Sequence, residues 1–125
     1  MKGTYCCPHK TAEDLHPDLI LKISELEKRL GKEIWATRGV ECQECNKLSG
    51  GKDLSAHVPE NNESLKGEAI DFTVISETVF KVVEFLFAIG FTGIGIKRKS
   101  GESGFVHGDI AKTNTKRPRP CLWTY

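Results

Sequence analysis

The sequence predicts a small α+β fold in one domain over residues 1–125, and three observations predict it. Apolar residues recur at helical spacing from Pro17 to Leu30. A second helix-length stretch, Ser76 to Ile89, is apolar almost all round. Short segments at 68–74, 92–96 and 104–110 alternate as strands do and are separated by glycines and polar residues. The chain has 125 residues, with 38% hydrophobic and 28% charged, which is ordinary for one soluble globular domain. Residues 1–16 read as an N-terminal arm and 112–125 as a C-terminal tail.

The elements follow in order. Met1 to Pro8 carries a charge but no apolar run after it, and nowhere do apolar residues approach the roughly eighteen that a membrane span requires. The expectation is synthesis in the cytoplasm and no membrane partner, with either an external substrate reached through lysis or a substrate met in the cytoplasm. Leu19, Ile23, Leu26 and Leu30 lie on one face of the first helix, with Pro17 at its start and Gly31 placed to end it. Glu33 to Thr37 is a short apolar strand that leaves the core at Arg38-Gly39. Residues 42–54 suit a short helix and a turn, and Pro59 to Leu65 a polar surface loop. In the strand Glu68 to Val74, Ile70, Phe72 and Val74 share one face, which puts Asp71 on the other. The helix capped by Ser76 and ended by Gly90 should lie under a sheet or between elements, because it is apolar nearly all round. Thr92 to Ile96 alternates glycine with isoleucine, leaving room for something close on its glycine face, and Gly104 to Ile110 reads as its hairpin partner. Leu122-Trp123 docks the basic tail back on the core.

Eighteen Lys and Arg against seventeen Asp and Glu leave a formal charge of +1, without the basic excess of a nucleic-acid partner. Five cysteines, an odd number with two adjacent, suit a reducing compartment or a metal better than a disulfide framework. Cys42-x-x-Cys45 has zinc-knuckle spacing, and Cys6-Cys7 with His9 supplies further donors for a second, structural ion. Against that ion stand the missing second Cys-x-x-Cys and the poor pairing of adjacent cysteines, which favour free buried thiols.

Four histidines are present, and two sit where a polar ring needs a reason. His57 follows Ser55-Ala56 in a loop rich in glycine, and His107 lies in an apolar strand. Each alone is also read as a hydrogen-bonded core imidazole. Together with Asp71 they form a set of three zinc ligands with a fourth position open, the arrangement of a catalytic site.

Ser55-x-His57, Gly67-x-Ala69-x-Asp71 and Phe105-x-His107-x-Asp109 resemble the three-part signature of the zinc D-Ala-D-Ala carboxypeptidase family. The likeness extends to Trp35-Ala36-Thr37-Arg38-Gly39, Cys42-x-x-Cys45-Asn46 and Gly50-Gly51 upstream, and to Arg119-Pro120-Cys121-Leu122-Trp123 downstream. The resemblance implies His57, Asp71 and His107 as ligands of one catalytic Zn²⁺. It also implies the antiparallel sheet packed by two helices that the family shares with hedgehog domains and phage endolysins.

Three departures mark this chain. The family commonly places two residues between its first histidine and the glycine of Gly-x-Ala-x-Asp, whereas nine separate His57 from Gly67. The insertion must bulge outward within Pro59 to Leu65, at an entropic cost that grows slowly with length. Glu41 falls where relatives carry an arginine, leaving Arg38 as the nearest group to clamp a substrate carboxylate or an oxyanion, with Ser55 as a second substrate contact. Gly104 replaces the acid that relatives carry three residues before the last histidine. The general base is then either Glu102, in a turn, or Asp109, which the sequence equally offers as a group orienting a ligand.

The function expected is a zinc peptidase, carboxypeptidase or endopeptidase, that hydrolyses stem or cross-link peptides of peptidoglycan as a monomer. The alternative is a zinc-bearing binding module of the same fold without turnover, which Gly104 and Glu41 favour.

Overall fold

Helix α1 spans Pro17–Leu30, and its ends are set by local chemistry. His16 Nδ1 accepts from the amide of Asp18 at 3.0 Å, Pro17 occupies the first turn, and Gly31 closes the helix in the left-handed region at φ 74°. Leu19, Ile23 and Leu26 are its buried stripe. The computed structural model describes residues 1–73, 79–97 and 104–125. Ser76, the expected cap of the second long helix, and Glu102 lie outside the described residues.

Around α1 the chain forms β1 (Lys2–Gly3), β2 (Trp35–Arg38), a short helix α2 (Gln43–Leu48), β3 (Ala69–Thr73), helix α3 (Val79–Ile89), β4 (Gly93–Lys97), β5 (Phe105–Asp109) and β6 (Cys121–Thr124). The strands make one sheet in the order β1-β2-β3-β5-β4-β6. Its centre is antiparallel as expected, β3 with β2 and β5, and β5 with β4. Its two flanks are parallel, which corrects the expectation of an antiparallel sheet. At one flank β1 and β2 are joined through α1, a crossover that makes neighbouring strands parallel. At the other, the β4–β5 hairpin brings Asp109 opposite Gly93, and the tail enters the sheet at Cys121, also opposite Gly93, so β6 runs in the direction of β4. The arm and the tail are therefore the edge strands of the sheet.

One face of the sheet is apolar. Ile70 and Phe72 of β3, Val106 of β5 and Ile94 of β4 pack with the α1 stripe, with Val82 and Leu86 of α3, and with Phe91. Burial of each large side chain there contributes about 1.5–3 kcal/mol. Helix α3 takes the first of the two placements its composition allows, against a sheet and not between elements. Only Val82 and Leu86 are buried, and Phe80 and Phe87 are exposed at 84% and 52%. It covers one side of the sheet and keeps an apolar outer surface.

The loop after His57 is tied down by asparagines. Pro59 and Asn62 are buried, and Asn62 Nδ2 donates to the carbonyls of Ala56 and Lys66 at 2.9 and 2.7 Å. Asn61 Nδ2 holds the carbonyls of Asp53 and Ser55 at 2.9 and 3.0 Å. The insertion thus leaves and rejoins the domain at fixed points, and His57 and Gly67 keep their places despite its length.

Candidate metal centre

Strand register assembles the opposite, polar face. Across the sheet, Arg38 of β2 pairs with Asp71 of β3, Asp71 with His107 of β5, His107 with Gly95 of β4, and Gly95 with Trp123 of β6. One step along, Ala69, Asp109, Gly93 and Cys121 form a second row. Directly paired residues project to the same side, so Asp71 and His107 meet without any help from a loop. A register shift between Ala36 and Arg38 sets Arg38 opposite Asp71. His57 comes from outside the sheet. The amide of Glu41 donates to its carbonyl at 3.0 Å, and its own amide donates to Ser55 Oγ at 3.3 Å.

His57, Asp71 and His107 are all buried, and their ligand atoms lie within 4.8 Å of one another. His57 Nδ1 is 2.6 Å from the carbonyl of Gly39. A carbonyl can only accept, so Nδ1 carries the proton and Nε2 faces Asp71 Oδ1, at 3.2 Å. His107 is held the opposite way round. Its Nε2 donates to Asp109 Oδ2 at 2.8 Å, and its Nδ1 meets the same Asp71 Oδ1 at 2.7 Å. Each imidazole is thus oriented by one nitrogen and presents the other toward the shared carboxylate, as metal-binding histidines do.

Electrostatics follow from this packing. Burial alone would raise the Asp71 carboxyl, but His57 and His107 outweigh it and hold the carboxyl far below its ordinary range. Burial would likewise lower His107, yet its hydrogen bonds to Asp109 and Asp71 push it up to about 9. Asp109, fully buried, is held low by His107 and by Arg119, which outweigh its burial. Arg119 grips it with two bonds, Nε to Oδ1 at 2.9 Å and Nη2 to Oδ2 at 2.7 Å, and the amide of Ala111 adds a third at 3.1 Å.

The glycine face of β4 holds what its sequence leaves room for. A Cβ at Gly93 would fall on the Asp109 carboxylate and Arg119, and one at Gly95 on the Trp123 indole. Trp123 lies across Gly95 with its ring centroid 5.1 Å from that of His107, and Arg119 stacks over the indole at 5.2 Å. Leu122-Trp123 does dock the tail, through Trp123. Leu122 remains 52% exposed.

A family model described as Peptidase M15 matches residues 2–109. The chain belongs to the peptidase M15 family. Comparison with curated proteins and with solved structures found no match. M15 peptidases are zinc-dependent, and the donor set here fits that ion: two imidazole nitrogens of fixed orientation and one ionised carboxylate, all convergent. His57, Asp71 and His107 would hold the ion.

Of the other residues singled out in the sequence, Arg38 lies at the centre. Its Nη1 is 3.6 Å from Asp71 Oδ2, its Nε donates to Glu41 Oε1 at 2.6 Å, and its Nη2 donates to Asn46 Oδ1 at 3.2 Å. Glu41 is the ion-pair partner of Arg38. Ser55 touches the backbone of His57. Sequence reasoning assigned no role to Gly39, Asn46 or Arg119, although all three stand in motifs that carry the family resemblance, and read Trp123 only as docking the tail. Beyond that motif Arg119 gave no signal of its own, because it closes a run of basic residues in the tail. The family match ends at Asp109, so Arg119 and Trp123 lie outside it.

Proposed function

We propose that this M15 protein is a zinc peptidase whose substrates are stem or cross-link peptides of peptidoglycan. The observation that carries the reading is the convergence of His57 Nε2, His107 Nδ1 and Asp71, with each imidazole oriented from behind by a specific partner. Zinc, when bound, supplies the Lewis acidity that polarises a peptide carbonyl and activates water. The chain's own residues do the rest. The Gly39 carbonyl and Asp109 hold the imidazole protons away from the ligand positions, and Arg119 keeps Asp109 ionised. Arg38, braced by Glu41 and Asn46, presents positive charge beside Asp71, suited to a substrate carboxylate or a developing oxyanion. Ser55 supports the His57 backbone.

Asp109 is engaged by His107, Arg119 and a backbone amide, which supports a positioning role. The proton-accepting role is then assigned to Glu102, the other acid the sequence offers, which lies outside the described residues. Purified muropeptides incubated with the zinc-loaded protein and followed by mass spectrometry test the activity. Cleavage abolished by a chelator is expected, and Glu102→Gln should stop cleavage while retaining zinc. Zinc-loaded protein that leaves every muropeptide intact would sink the enzymatic reading.

One observation favours the second reading, a binding module without turnover. Among the described residues, every carboxylate at the centre is paired: Asp71 with both histidines, Asp109 with His107 and Arg119, and Glu41 with Arg38. Retention of muropeptides on immobilised zinc-loaded protein, without products, would establish that alternative.

A further inference from the structure

A second group of metal-type donors lies at the outer side of the β2–α2 loop, apart from the His57, Asp71 and His107 centre. The arm brings Cys7 and His9 to Cys42 and Cys45, and the four ligand atoms lie within 4.8 Å of one another. His9 Nδ1 is 3.5 Å from Cys42 Sγ and 3.4 Å from Cys45 Sγ. Tetrahedral zinc with ordinary Zn–S and Zn–N bonds places a sulfur and a nitrogen about 3.5 Å apart. Two sulfurs also accept backbone donors: the Cys42 amide reaches Cys7 Sγ and the Cys45 amide reaches Cys42 Sγ, both at 3.4 Å. Such bonds stabilise thiolates as ligands.

The adjacency of Cys6 and Cys7, which counted against this site in the sequence, is resolved by the backbone. Cys6 bridges to Val40 in the manner of a parallel strand and packs against the core, so alternation turns Cys7 outward to the cluster. All five cysteines are free thiols, and Cys7, Cys42 and Cys45 are half-buried.

We propose that Cys7, His9, Cys42 and Cys45 bind a second zinc ion, a structural one, that clamps the N-terminal arm onto the β2–α2 loop. Three thiolates and one imidazole fill a tetrahedron, so no position remains open for substrate, as in structural zinc sites generally. The clamp has a target. The loop it fastens carries Arg38, the Gly39 carbonyl that orients His57, and Glu41, and Gly39 lies so close to the Tyr5 backbone that a Cβ there would overlap it. To the hold the arm already has through strand β1, backbone bonds from Thr4 to Cys7 and the packing of Tyr5 and Cys6 on the core, the ion adds a cross-link at the arm's outer end. The ion makes the arm a fixed wall behind the catalytic loop.

The test reads the metal and the thiols, independently of peptidase activity. Elemental analysis of protein purified under reducing conditions with zinc should give two ions per chain. His107→Ala should keep one and the double variant Cys42→Ser/Cys45→Ser should keep the other. Cobalt-substituted wild type and His107→Ala should both show thiolate-to-cobalt charge-transfer absorption, and the double cysteine variant should not. In wild type, alkylation mapped by mass spectrometry should find Cys7, Cys42 and Cys45 protected until a chelator is added, with Cys6 and Cys121 unaffected by it. A single zinc in wild type with no thiolate–cobalt band overturns the proposal. So does ready alkylation of the three cysteines in zinc-loaded protein, or their isolation as a Cys42–Cys45 disulfide. Should the double variant fail to fold, the wild-type and His107→Ala cobalt spectra and the wild-type alkylation pattern decide the matter.

Discussion

The two faces of β3 and β5 differ by a single residue step. Ile70 and Phe72 look into the apolar core, and Asp71 between them looks into the candidate metal centre; Val106 and His107 repeat the division on the neighbouring strand. The apolar face gains its stability from area removed from water, which is indifferent to pH and to metal. The polar face is as thoroughly buried, yet it holds charges that need one another, since each buried ion is costly without its partner. One face therefore supports the fold and the other depends on it, and substitutions on the two should separate cleanly.

The largest effect is expected on the apolar side. Phe72→Ala should cost about 3–5 kcal/mol of folding stability, measured by denaturant unfolding, while the folded fraction retains the zinc of the His57, Asp71 and His107 centre. Unchanged stability would mean that the two faces do not divide the labour in this way. Next comes Arg119→Ala, which leaves Asp109 buried with one cationic partner fewer and loosens His107. Zinc affinity at the centre should fall by about 10- to 100-fold, with Asp109→Asn at least about tenfold weaker than wild type, both read by competition with a chelator. An Arg119→Ala protein with wild-type affinity would reduce Arg119 to a tail residue.

A smaller change tests the room on β4. Gly95→Ala drives a methyl into the Trp123 indole and should cost about 1–3 kcal/mol, the range for an overpacked site. Thermal unfolding measures the loss, and Trp123 fluorescence should report a displaced ring.

The gentlest probe is pH, because only one face titrates. His107 is raised from 6.5 to about 9, so its contribution to the metal-free fold is fully present below pH 6.5 and is lost as pH rises through 9. Asp71 and Asp109 are depressed from 3.8; their contributions are present above that value and fade as pH falls below it. Metal-free protein should be most stable between these limits. Zinc uptake near pH 7 should release the His107 proton, and the release should vanish above about pH 10. Calorimetry in buffers of different ionisation enthalpy measures it, and proton-independent uptake at pH 7 would contradict the bridging role of His107.

How much of this was legible in the sequence depended on whether the cause was local. The α1 stripe, its proline start and its glycine stop are set within one segment and were read correctly. So was the turning of Asp71 away from Ile70 and Phe72, because alternation along a strand fixes it. The parallel flanks were not readable: a two-residue strand at Lys2–Gly3 has no period, and β6 takes its direction from where the β4–β5 hairpin ends. For helix α3, composition offered two placements, under a sheet or between elements, and could not choose the first, in which Phe80 and Phe87 remain in water. At the centre, the pairing of Asp71 with His107 was legible through motifs, and the grip of Arg119 on Asp109 was not, since it joins residues whose surroundings say nothing of each other.

That the arm and the tail supply the two edge strands bears on how the molecule comes into being. As the chain leaves the ribosome, α1 and the first half of the sheet have their partners early, but β4 waits for Cys121–Thr124 and Asp109 waits for Arg119. No nascent chain shorter than about residue 124 holds the whole polar face in place. Synthesis through that residue is thus a timing device: the centre is finished last, after the scaffold that carries it has closed.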